Sequence, residues 1–130
     1  MRIKAAALLA PLLLAACATG SVDTGWSRAP DLSIYSAMNH FGAVAREQEL
    51  LCAGHDPNRI DERWQRLYAA RHEAVRTAMA VRHGPEAIGR ARLDAGPRVP
   101  CEPLTYRRWW DHYDQLLRLL ELRIRDGNRG

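Results

Sequence analysis

Two short runs in this chain bring reactive side chains close together. In Cys52-Ala53-Gly54-His55 a thiol stands three residues from an imidazole, the pairing a nucleophile and its base require. That chemistry needs Cys52 to remain a thiol, and the chain has two other cysteines, Cys17 and Cys101. In Arg107-Arg108-Trp109-Trp110 two cations precede two indoles. Such a run suits a rim site for a lipid headgroup or a glycan; alternatively both rings are core, since both fall on an apolar helix stripe. Arg71 is the third candidate, set between Leu67 and Val75 in another apolar stripe. A guanidinium there must reach water or a carboxylate. It is either held by an acid from a neighbouring helix or it is the anion site of a groove.

The remaining reactive types fit no catalytic or metal pattern. His40, His55, His72, His83 and His112 contain neither HExxH spacing nor an i,i+4 pair, and there is no CxxCH, so the spacings of zinc and c-type haem sites are missing. A haem held between Met38 or Met79 and His72 or His112 is sterically conceivable. Both histidines, however, lie off the apolar stripes and are expected at the surface. Ser21, Ser27, Ser33 and Ser36 have no recognisable catalytic partner. Neither an enzyme nor a bound cofactor or metal is expected.

The elements that must position these residues are helices. Asp31 follows Pro30 and is expected to cap a first helix over 32–53, with Ile34, Met38, Phe41, Ala45 and Cys52 on one stripe flanked by Ala37, Val44 and Leu51. Gly54 stops it. Asp56-Pro57, a cap residue followed by proline at the first helical position, starts a second helix that runs to about His83 and ends at Gly84-Pro85. Its apolar face is Ile60, Trp64, Leu67, Tyr68, Val75, Ala78 and Met79. A short helix over 85–93 follows. Three prolines within 97–103 then impose an extended connector. The last helix, 105–126, carries Tyr106, Trp109, Trp110, Tyr113, Leu116, Leu117, Leu120 and Ile124 on one face, which leaves Leu119 and Leu122 on the far side. They are ordinary exposed leucines, or are covered by Ile88 and Leu93 of the short helix, or form a small apolar ridge for a partner. The expected fold is all-α: a bundle of three long helices and one short one.

Ahead of this domain stand Arg2 and Lys4, an apolar run over 5–14, and Leu14-Ala15-Ala16-Cys17. A basic head, a short apolar run and small residues at the cut make a secretory signal. The run is too short to span a bilayer, which takes about 20 residues. Leu14-Ala15-Ala16-Cys17 resembles the lipobox of bacterial lipoproteins. That resemblance implies cleavage after residue 16, acylation of Cys17, and anchoring in the membrane; with Ala18 rather than Asp after the cysteine, the outer membrane is the expected address. Residues 17–30 would form a flexible tether and 31–130 the periplasm-facing domain. With Cys17 lipidated in an oxidising compartment, Cys52 and Cys101 are expected to form a disulfide. The bond returns the start of the last helix to the end of the first, so the last helix should run antiparallel to the first and parallel to the second. Asp114 or Glu121 then stands level with Arg71.

Without residues 1–16 the chain has 114 residues, one modest core, and 17 arginines against 15 acids. Acids and bases alternate along the helices, so neither composition nor compartment suggests nucleic acid. The expected function is of the interaction class: an outer-membrane lipoprotein acting as an adaptor to an envelope protein. The alternatives are a binder of an anionic lipid or glycan near Arg71 or Arg107-Arg108, and an inhibitor of a periplasmic hydrolase.

Overall fold

In the computed structural model, residues 25–91, 100–101 and 105–127 are described. Among them the chain is all-α, with no strand. Helix α1 is Asp31–Leu51. Helix α2 covers 57–83 in three pieces: Pro57–Trp64, a π-helical turn Gln65–Ala69, and Ala70–His83. Helix α3 is Pro85–Arg90 and α4 is Thr105–Gly127.

The punctuation acts as its chemistry requires. The Asp56 carboxylate accepts from the Asn58 amide at 2.9 Å, and Pro57 occupies the first helical position, where its missing N–H costs nothing. Gly54 and Gly84 have φ of 68° and 89°, a left-handed backbone that few other residues enter, and they end α1 and α2. Asp31 departs from expectation. It is the first helical residue rather than the cap, with Pro30 before it, and its carboxylate turns to other helices.

The direction of each helix follows from its ion pairs. Asp31 at the start of α1 meets Arg123 near the end of α4, while Glu49 near the end of α1 meets Trp110 near the start of α4, so these two helices are antiparallel. Arg63, early in α2, bonds Glu49, and Arg82, late in α2, bonds the Arg123 carbonyl of α4, so α2 runs parallel to α4. The Cys52–Cys101 disulfide, with Cα atoms 5.5 Å apart, joins the end of α1 to the segment before α4. α1 and α4 form the main interface. Gly42 allows their closest approach, since a Cβ there would lie 3.0 Å from the Tyr113 ring.

The core is Ile34, Tyr35 and Met38 from α1, Val75 and Met79 from α2, Ile88 from α3, and Tyr113, Leu116, Leu117 and Leu120 from α4. The sequence stripe of α2 needs one correction. Ile60, Trp64, Tyr68 and His72 are spaced by four residues, which drifts around a helix of 3.6 per turn. The π turn widens the helix at 65–69 and keeps Trp64, Tyr68 and His72 on the inner side, which turns Leu67 outward to 45% exposure. Leu51 of α1 is likewise exposed.

Composition places 25–30 with the tether, yet Trp26–Arg28 forms a 3-10 turn. Arg123 donates to the carbonyls of Ala29 at 2.6 Å and Ser27 at 2.8 Å, and Trp26 meets Phe41 edge to face. These six residues fold with the bundle. Cys17 and the signal segment lie outside the described residues, as does Leu93.

Candidate functional site

Among the described residues, three charged clusters join more than two residues across the helix interfaces. At the disulfide end, Glu49 is fully buried on the inner side of α1, four residues past Ala45. Its carboxylate accepts from both terminal nitrogens of Arg63, from Trp110 Nε1 at 2.6 Å, and lies 2.8 Å from His55 Nδ1. The Arg63 guanidinium also covers the Trp110 ring at 5.6 Å. Burial alone would raise the Glu49 carboxyl; the bonds from Arg63, His55 and Trp110 outweigh it and hold the group at about 2. A carboxylate so stabilised is a weak base, and its work is to join α1, α2 and α4. Beside it opens a cleft of about 450 Å³ lined by His55, Arg59 and Arg63.

Arg71 forms the second cluster. It donates to Glu121, closest at 2.5 Å, and to Asp114 at 3.3 Å, while Asp114 also receives Arg118 at 2.8 Å. Both acids at the expected height take the guanidinium. At 34% exposure it is half-buried and compensated by two carboxylates, which favours the structural reading of Arg71 over the anion-site reading.

The third cluster surrounds Asp31, which meets Arg123 at 2.9 Å, His83 at 3.2 Å and Arg82 at 3.6 Å. Burial would raise this carboxyl, and the hydrogen bonds from Arg123 and His83 outweigh it and lower it. This arrangement seats the N-terminal turn on the end of α4.

The histidines require correction. His72 is not a surface residue: its Nδ1 lies 2.8 Å from the Tyr113 hydroxyl and its ring lies among Tyr35, Trp64 and Tyr113. Burial pushes the Tyr113 phenol up, so it stays neutral. His112 is also half-buried, against Phe41 and Trp109. The thiol–imidazole pair does not arise: Cys52 is bonded to Cys101, as expected, and His55 faces Glu49.

Arg107 and Arg108 are exposed at the start of α4, with Arg107 over the Tyr106 ring. Trp109 and Trp110 turn away from them, Trp109 onto Phe41 and Trp110 onto Tyr68. The rim-site reading loses its aromatic half. The expected ridge of Leu119 and Leu122 also divides. Leu119 packs against the core cluster, whereas Leu122 is 47% exposed and lines a groove of about 520 Å³ between α2 and α4, with Ala74, Val75 and Ile124 on its floor and Arg118 and Arg125 beside it.

Glu49 was detectable in principle by the reasoning that singles out Arg71, namely a charge in an apolar stripe. Asp31 carried no such signal, because its partners come from the far ends of α2 and α4. Among the described residues no group of three or more His, Cys, Asp or Glu could hold a metal ion, and no helix is long and apolar enough to cross a membrane. Comparison with protein families, with curated proteins and with solved structures finds no match to this chain.

Proposed function

We propose that this chain is an outer-membrane lipoprotein, anchored through acylated Cys17, whose periplasm-facing bundle serves as an adaptor by receiving a helix of an envelope protein. The observation that carries this reading is the groove between α2 and α4. Its floor of Ala74, Val75, Leu122 and Ile124 is apolar, and beside it stand Arg118, Arg125 and Glu121, the last neutralised by Arg71. A partner helix with an apolar stripe and acidic residues on its flanks would match both features. Arg125 is exposed and has no acid paired with it among the described residues, which leaves its charge available for such a flank.

A photo-crosslinking residue at position 122, introduced into the full chain in growing cells, tests this. It is expected to capture one envelope protein, and Ala74→Glu is expected to abolish the capture with little change in thermal midpoint, because Ala74 is exposed. Leu119→Glu should instead unfold the domain. Labelled palmitate should enter the wild type and not Cys17→Ser. Capture that survives Ala74→Glu would remove the groove from the proposal, and an unacylated mature protein would remove the anchor.

A further inference from the structure

α1, α3 and the N-terminal turn border a second, open groove of about 830 Å³, whose lining shares no residue with the groove at Leu122. We propose that it binds the hydrocarbon chain of a single-chain anionic amphiphile, with Arg90 receiving the acidic head. The volume lies within the roughly 300–1,000 Å³ of small-molecule sites. Its apolar lining is Trp26 from the turn, Leu32, Ala37 and Phe41 from α1, and Ala87 and Ala91 from α3. Three of these six are alanines, and a larger side chain at any of them would fill the trough. From Leu32 to Phe41 the lining follows α1 for about 14 Å, an elongated shape that suits an extended chain better than a ring system.

Arg90 marks where a head group would sit. At the end of α3 it is exposed and has no acid paired with it among the described residues. Ser33 and His40 also line the groove, and neither carries a negative charge that would repel an acidic head. A fatty-acid carboxylate and a lysophospholipid phosphate share the required chemistry, an acceptor-rich anion on one alkyl chain. The site does not depend on the adaptor reading, because it uses none of the residues of the α2–α4 groove.

The test uses the full acylated protein in nanodiscs of phosphatidylethanolamine and phosphatidylglycerol, with three diazirine probes: stearic acid, a lysophosphatidylglycerol and stearyl alcohol. Peptide mapping separates labelling of the groove from the chains already on Cys17. One or both acidic probes should label peptides covering 32–41 and 85–91, and the alcohol should label them about tenfold less, the loss expected for one charged hydrogen bond. Labelling by the acid alone assigns a carboxylate ligand, and by the lysophospholipid alone a phosphate. Arg90→Glu, on the surface, should bring the acidic probes down to the level of the alcohol. Ala37→Trp should block all three, its melting curve confirming the fold. Equal labelling by the alcohol, insensitivity to Arg90→Glu, or no label in these peptides would each overturn the proposal.

Discussion

Glu49 shows how a single side chain can set the acid stability of a small domain. Its carboxyl sits at about 2 in the folded protein against an ordinary 4.5. A carboxyl depressed by folding stabilises the native state fully above its unfolded value, and that contribution disappears as pH falls through the folded value. The window here is therefore from about pH 4.5 down to about 2, and the shift corresponds to about 3 kcal/mol. Asp31, lowered in the same direction, adds to the same limb. Glu49→Gln should cost about 3 kcal/mol at neutral pH, with Arg63 left without its anion. Urea unfolding at several pH values would show the difference from wild type constant above pH 5 and shrinking towards pH 2. Parallel curves over the whole range would contradict the assignment.

At the scale of elements, the π turn in α2 decides which side chains face inward. It absorbs the drift of the Trp64, Tyr68, His72 series, so the aromatic face and the Val75, Met79 face both meet α4. Deleting Leu67, which is exposed within the turn, should return 65–69 to regular helix and leave the flanking segments in place, at a cost of at most about 2 kcal/mol from disturbed packing. Deleting Thr77, in the regular part, would rotate the remaining helix by about 100° and expose Met79. Thermal melts followed by circular dichroism should show cooperative unfolding for the first variant and its loss for the second. The boundaries of this helix were legible from Asp56-Pro57 and Gly84-Pro85, because caps and stops act within a turn. The π turn was not, since it answers a mismatch between spacing and neighbours rather than a local preference.

For the whole molecule the decisive link is Cys52–Cys101. It closes a loop with a sequence separation of 49 and ties the end of α1 to the start of α4. In the chain-entropy account a loop of that size contributes about 4 kcal/mol. Cys52→Ser with Cys101→Ser should lower unfolding stability by about that amount while helical content at low temperature remains. A reduced protein as stable as the oxidised one would show that Glu49 and its partners alone hold this end together.

From the sequence alone follow the all-α class, the start of α2 at Asp56-Pro57, the disulfide pair and the acids that hold Arg71. Each rests on something the chain carries along its length: a 3.6-residue period, a cap, a glycine stop, or a limit on how far a segment can reach. Tertiary structure decided the environments of Asp31, His72 and Leu119. All three lie at the margins of an apolar stripe or at a helix end, where coverage depends on which neighbour arrives from far along the chain. His72 is enclosed because Tyr35 and Tyr113 come from two other helices, and Leu119 packs against the core because α4 is flanked by more than one element. A helical period gives the direction of a side chain, but burial requires a second surface, and only the folded arrangement supplies it.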